Sequence, residues 1–367
     1  MKPRVLFVGR TRYRLPLSDA LARKWDAVAA EVDLRVVGSA PSGAPATNGR
    51  FRLVPHRSLD GPRFYLGLPS LVVRELRSFR PDVVIAQSPY EAAAVLLGRR
   101  LSRSGARVVL DVHGDWRTFA RLYGSPARRA LGPLADRIAA AALRRADAVR
   151  TVSPYTTRLV RELGIEPAAV FPAFMDLEPF TERPPAPLPE RPAALFVGVL
   201  EAYKNVDGLA SAWRLAAPRV PAARLRIVGR GTMAPVVERL VAELPGQTDW
   251  TPALSPQEVA AALDDAWALV LPSRSEGMGR VVVETLCRGR AVVGSRVGGI
   301  PDLVEDGVSG LLVEPDDTQG IADALVRVLS DRAVAERLGA GADAAAGRLP
   351  TPEEYAVSVR ALVELVV

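Results

Sequence analysis

The feature that most constrains this chain is a strand-then-helix rhythm that runs twice, once on each side of a proline-dense break. In the first half, Val5-Leu6-Phe7-Val8 is a short apolar run that stops at Gly9, and Leu17 to Ala29 carries its apolar residues at helical spacing. Val32 to Val37 alternates like a half-buried strand. Asp82 to Ala86 and Arg107 to Asp111 read as buried strands, with Ala146 to Thr151 a weaker one. Helical patterns at Phe64–Phe79, Tyr90–Leu101 and Ala127–Arg144 separate them. Apolar strands alternating with helices predict a mostly parallel sheet covered on both faces.

Glu182 to Pro192 then holds five prolines in eleven residues. Proline fixes φ and lacks an N–H, so this stretch predicts a stiff linker. A second series follows it. Strands are expected at Ala193–Val197, Ala223–Val228, Ala266–Leu271 and Ala291–Gly294. Helices fit Val206–Ala217, Ala234–Glu243, Pro256–Leu263, Arg280–Arg288 and Thr318–Leu329. The expectation is an α/β chain of two doubly wound, Rossmann-like domains, 1–183 and 193–350, joined by the linker 184–192. Two such domains facing a central cleft bind ligands at the carboxyl ends of their strands.

Composition narrows the setting. The 367 residues suffice for two cores, and Cys287 is the only cysteine, which excludes an internal disulfide and fits a reducing compartment. The apolar run at Val5–Val8 is too short for a signal-peptide core, and no stretch nears the roughly 18 apolar residues of a membrane span. We therefore expect a cytoplasmic protein, at most peripheral on the inner face of a membrane. The net charge of +7 is uneven: residues 1–183 hold 30 Lys and Arg against 17 Asp and Glu, and the remainder 18 against 24. Such asymmetry marks a face that meets an anionic ligand or surface, or an arginine-rich composition, since only three of the 48 basic residues are lysine. Phe64 to Arg80 mixes apolar residues with Arg74, Arg77 and Arg80; that pattern describes both a helix resting on an anionic membrane and an ordinary packed helix. Few aromatics interleave the arginines and no recognition motif is present, which argues against nucleic acid.

The chemistry-bearing segment is Pro272 to Glu284, which follows a buried strand and opens a helix. Gly277 and Gly279, flanking Met278, let backbone approach a ligand, and a helix start offers free N–H groups with the positive end of the dipole. Glu276 is expected on the loop and Glu284 on the first turns of the helix, where a carboxylate can accept from two vicinal hydroxyls. A surface loop with a capping glutamate is the plain alternative.

Glu276 and Glu284 around Gly277-Met278-Gly279, followed by Gly298-Gly299-Ile300-Pro301-Asp302 and Asp306-Gly307-Val308-Ser309-Gly310, resemble the retaining GT-B glycosyltransferases of family four, the group 1 type. The likeness is strong over about 195–330 and looser before it. It implies that a nucleotide-diphosphate-sugar is the donor, that a hydroxyl group is the acceptor, and that neither cofactor nor metal takes part. No Asp-x-Asp triplet and no His/Cys cluster with metal spacing occurs. By resemblance Glu284 holds the ribose hydroxyls, while Glu276 and the amides of Gly277–Gly279 hold the sugar. Gly198 and Lys204 resemble the diphosphate-binding element. The family usually has an arginine after the equivalent of Gly198; here that position is Val199, and Arg230, Arg274 or Arg10 are the available replacements.

In the first half, His113 follows a buried strand. A lone histidine is more often structural, but the resemblance gives this one a contact to the donor sugar, with Asp115 and Trp116 as weaker acceptor-side candidates. Many relatives have a Gly-Gly turn after strand one. This chain has Gly9 followed by Arg10, Arg12 and Arg14, an arginine group that suits a phosphate or carboxylate on the acceptor, or else plain solvated surface. Thr351 to Val367 has helical spacing and, by resemblance, packs back on the first domain. The competing classes are a sugar epimerase or phosphorylase of the same fold, and a catalytically silent sugar-nucleotide-binding module. A nicotinamide dehydrogenase is disfavoured because no Gly-x-Gly-x-x-Gly turn is present.

Overall fold

Two parallel sheets organise the chain in the computed structural model, which describes residues 2–41, 47–55, 60–117, 132–346 and 350–367. The chain forms two compact units: Met1–Asp176 with Pro350–Val367, and Leu177–Leu349.

In the first unit the strands are β1 (Arg4–Arg12), β2 (Asp33–Ala40), β3 (Thr47–Asn48), β4 (Phe51–Pro55), β5 (Val83–Ala86), β6 (Arg107–Val112), β7 (Ala148–Thr151) and β8 (Ala169–Val170). They lie in the order β3-β4-β2-β1-β5-β6-β7-β8, parallel except for the short β3–β4 pair. Alternation along β1 builds two cores. Leu6 and Val8 face one layer with Leu68, Val72, Val95 and Ala139, while Val5 and Phe7 face the other with Trp25, Val28, Tyr355 and Val359. The C-terminal helix Pro352–Val366 thus lies on the same face as the helix Asp19–Glu31. Its Thr351–Glu354 capping box fixes where it starts.

The basic amphipathic stretch forms the helix Asp60–Ser78. Its apolar side chains Phe64, Leu68, Val72 and Leu76 are buried in the unit's own core, which leaves Leu66, 82% exposed, as the prominent apolar residue facing solvent. The packed-helix alternative is therefore the one the geometry matches. Residues 127–131 of the expected helix 127–144, and His56, lie outside the described residues; the helix is described from Gly132 to Arg145.

The second unit has β9 (Ala193–Val197), β10 (Arg224–Val228), β11 (Thr248–Thr251), β12 (Ala268–Leu271), β13 (Ala291–Ser295) and β14 (Gly310–Val313), in the order β11-β10-β9-β12-β13-β14, all parallel. The direction of winding reverses between β9 and β12, which makes their carboxyl ends the crevice where an open sheet takes a ligand.

The proline-dense stretch, expected as a stiff linker between the domains, is bound into this unit, and the two units divide at Asp176 and Leu177. Two buried arginines explain the difference. Arg288 grips Asp264 through Nε and Nη2 (2.7–2.9 Å) and donates to the carbonyls of Arg183 and Pro184. Arg290 donates to the carbonyls of Ala186 and Leu263, and the Trp267 indole donates to that of Pro189. Prolines carry acceptors without donors, so a wall of guanidinium and indole N–H groups satisfies them. Among the described residues, no helix is long and apolar enough to cross a membrane.

Candidate functional site

In the second unit the loops after β9 and β12 meet at the switch point. After β9, Gly198 to Glu201 leads into a turn of 3-10 helix, Ala202–Lys204, and Asn205 closes it in the left-handed conformation. Asn205 then caps the helix Val206–Ala216 by accepting from the Gly208 amide. This places the Lys204 ammonium, largely buried, against the Glu276 carboxylate from the loop after β12, with the Ser273 hydroxyl donating to the same Glu276 oxygen at 3.4 Å. The Lys204 charge is held in place before any ligand is considered. A cation fixed this way stabilises an anion without a reorganisation cost.

Glycines set the backbone around this pair. A Cβ on Gly298 would lie 1.7 Å from the Glu276 carbonyl, so the Gly298-Gly299 turn packs directly beneath the Glu276–Gly277 loop. A Cβ on Gly229 would lie 1.8 Å from the Gly198 carbonyl, and the amides of Gly198 and Leu200 donate to Val228 and Arg230. The loop after β10 is thereby joined to the loop after β9. Arg230 rides on it exposed, and its guanidinium has no partner among the described residues.

Arg274 has a different role from the one considered for it. Four N–H groups of its guanidinium are taken by Asp207, Asp316 and the Ala202 carbonyl, at 2.8–3.0 Å. Both carboxylates hold it firmly in the charged form. It ties the loop after β12 to the element that carries Lys204. Of the second unit's candidates to replace the arginine absent at Val199, Arg230 is the one left uncommitted.

Gly279, in the left-handed region, opens the helix Arg280–Cys287; the Val282 and Val283 amides donate to the Gly279 carbonyl, which leaves those of Arg280 and Val281 as the ones without an intrahelical acceptor. Gly277 and Met278 are partly exposed there. Glu284 stands on the second turn, 7% exposed, and accepts from Arg280 Nε at 2.7 Å. Burial raises its pKa above the ordinary carboxylate value, and Arg280 only partly opposes this.

In the first unit, His113 follows β6 directly. Its side chain is 40% exposed, and its Nε2 lies 2.9 Å from the buried Asp111 carboxylate. Asp115 accepts from the Arg117 backbone and guanidinium, so it acts as a local cap and ion pair. Trp116 is 7% exposed and packs in the first unit's core, so little of its side chain is open to an acceptor. The expected turn at Gly9 is instead a continuation of β1 through a register shift between Val8 and Arg12, and Arg12 pairs with Ser39 of β2. Buried Tyr13 anchors the end of this extension through its amide to Ser39. Arg10, Arg12 and Arg14 project from it into solvent, with Arg10 close enough to act on Tyr65 and Glu91.

Asp111 and Arg150 were missed as site residues in reading the sequence. Their signal was a charged residue in each of two apolar strands that turn out to be directly paired, Asp111 opposite Arg150.

Comparison with known proteins gives the family. A model for the glycosyl transferases group 1 matches residues 191–331, and a model for glycosyltransferase family 4 matches residues 19–179. The chain belongs to the family 4, group 1 glycosyltransferases. A D-inositol 3-phosphate glycosyltransferase of Nocardioides is 31% identical over 214 residues, 53% of this chain and 47% of the relative. The chain spans less than half the length of such curated relatives. Among solved structures, sucrose-phosphate synthase of Thermosynechococcus elongatus superposes with a TM-score of 0.79 at 20% identity, covering 99% of this chain and 98% of that one. Anabaena HepE, in complex with UDP-glucose, gives a TM-score of 0.71 at 17% identity, with 98% of each chain covered. The fold is that of the GT-B class, with two Rossmann-like units in one α/β chain.

Proposed function

We propose that this chain is a retaining glycosyltransferase that moves a sugar from a nucleotide-diphosphate-sugar to a hydroxyl acceptor without a metal. The observation that carries the reading is the convergence of Lys204, Glu276, the Gly277–Gly279 loop and Glu284 at the switch point of the second unit's sheet. Glu284 takes the ribose hydroxyls. Glu276 and the amides around Met278 hold the sugar. Lys204 and Arg230, the latter in place of the missing arginine at Val199, stabilise the charge that develops on the departing diphosphate. His113 contacts the transferred sugar. The leaving phosphate oxygen takes the acceptor proton, so the protein's part is positioning and charge stabilisation. UDP is the nucleotide of first choice for the donor, since the HepE structure holds UDP-glucose. Arg10 and Arg12 make an anionic hydroxyl acceptor, such as a sugar or inositol phosphate, the class to try first.

The test is turnover of UDP-, GDP- and ADP-sugars in a chelator, with inositol phosphates and glycan or lipid-linked precursors as acceptors. Acceptor-dependent release of the nucleotide diphosphate, with an axial donor linkage kept axial in the product, supports the reading. Diphosphate binding without turnover moves the assignment to a silent binding module, the alternative that Val199 favours. A cation is also expected to matter at Arg230: Arg230→Ala should weaken diphosphate binding by about tenfold, a loss of ~1.4 kcal/mol, measured by calorimetry.

Acidification should weaken donor binding in a defined way. Glu284 accepts hydroxyls as a carboxylate, and its pKa lies above the ordinary value, so it is fully competent only above that raised pKa. Nucleotide affinity should decline as pH falls through this value, at a higher pH than an ordinary glutamate would give. Glu284→Gln should bind weakly and lose that pH dependence; an unchanged profile in the variant contradicts the assignment.

A further inference from the structure

His113 does not stand alone at the end of β6. Asp111, two residues before it, is 2% exposed, and Arg150 on the paired strand β7 is 1% exposed. Arg150 Nη1 donates to both Asp111 oxygens at 2.6 and 2.7 Å. Its Nη2 donates to the carbonyls of Phe171 and Pro172 at 2.7 Å, and the guanidinium lies 3.9 Å from the Phe171 ring centroid. Phe171 and Phe174 pack edge-on against Tyr355 of the C-terminal helix. The anchor is therefore built from β6, β7, the 171–174 segment and that helix.

The anchor determines which His113 nitrogen carries hydrogen. Burial alone would push the Asp111 carboxyl up, but Arg150 and then His113 outweigh it and hold the group well below the usual carboxylate range. An ionised carboxylate only accepts, so the hydrogen in the 2.9 Å contact belongs to His113 Nε2. In a neutral ring this leaves Nδ1 as an acceptor, and it has no partner among the described residues.

We propose that Asp111 and Arg150 are positioning residues that lock His113 in the Nε2–H tautomer and present Nδ1 as a hydrogen-bond acceptor to a hydroxyl of the bound sugar. The part concerning the sugar rests on the transferase reading; the tautomer does not. A ring that accepts selects for a hydroxyl donor at the atom it faces, and discriminates against deoxy or O-alkylated sugars at that position.

The experiment uses the full chain labelled with 15N-histidine, which has two imidazoles, His56 and His113, assigned by His56→Gln. At a pH where the ring is neutral, His113 is expected to show a protonated Nε2 and a bare Nδ1. In Asp111→Asn the amide can itself donate, so the spectrum should move toward the other tautomer. With the sugar nucleotide that turns over, kcat of Asp111→Asn should fall about 10- to 100-fold, while its KM stays within about twofold. A wild-type His113 protonated at Nδ1, or a folded Asp111→Asn with unchanged kcat, overturns the proposal. If Asp111→Asn fails to fold, the wild-type spectrum still decides the tautomer. A chain that binds no nucleotide and transfers no sugar sinks the transferase reading, and the spectrum judges the Asp111–His113 pairing separately.

Discussion

Replacing Lys204 with alanine is expected to lower turnover of the sugar nucleotide by a factor of the order of 10²–10³, the usual cost of removing one preorganised group that faces developing charge. The expectation follows from where the ammonium sits. It is carried by a 3-10 turn whose end is fixed by Asn205, and the loop opposite is tied to the same turn by Arg274. The loss should fall on kcat and kcat/KM together, because the charge on the leaving diphosphate is greatest in the transition state. Lys204→Ala also leaves Glu276 without its ion pair, so melting of the same variant must be followed. A variant that stays folded and transfers sugar at the wild-type rate would remove Lys204 from the mechanism.

The second large effect concerns stability. Arg288→Ala is expected to destabilise the second unit by about 3–5 kcal/mol, the range for removing one member of a buried ion pair. The side chain is 2% exposed and holds Asp264 together with the carbonyls of Phe180, Arg183 and Pro184. Removing it leaves a carboxylate and three carbonyls without their donor, in a segment whose prolines have no N–H to offer in exchange. Urea titration should show a lowered midpoint with an unchanged slope. A shift under about 1 kcal/mol would mean that water replaces the guanidinium and that the proline segment is not anchored through it.

Much of the fold was legible because the central strands are continuous apolar runs, and a parallel sheet buried on both faces requires such runs. β1, β5, β6, β9, β12 and β13 were all visible in this way. Most of the elements that escaped lack that signal; β14, Gly310–Val313, is the exception, an apolar run that was not read as a strand. β11 reads Thr248-Asp249-Trp250-Thr251 and is an edge strand, where polar residues are tolerated; β3, β4 and β8 are short and marginal in their sheet. The helix Arg332–Ala346 buries mainly small side chains, Ala335, Gly339 and Ala342 beside Leu338, which leaves almost no apolar stripe to detect.

The candidate site divides along a similar line. Its loop residues Glu276 to Gly279 stood out as glycine and charge after a buried strand, with a capped surface loop as the alternative, and Lys204 was assigned by the family resemblance. The commitment of Arg274 to Asp207 and Asp316, the burial of Trp116 and the pairing of Asp111 with Arg150 depend on which strands and loops are neighbours. Spacing along the chain carries no record of that.

The central claim is that the second unit holds a nucleotide diphosphate through Glu284 and the Lys204 loop. It is tested most directly by the melting temperature of the wild-type chain and of Glu284→Ala, each with UDP, GDP and ADP and their sugar conjugates. A ligand at about 100 times its dissociation constant adds roughly 2.7 kcal/mol of stability. The account predicts that one base raises the wild-type melting point and leaves Glu284→Ala nearly unmoved. If no nucleotide stabilises the wild-type chain, or if the variant responds equally, the donor site as drawn here is wrong.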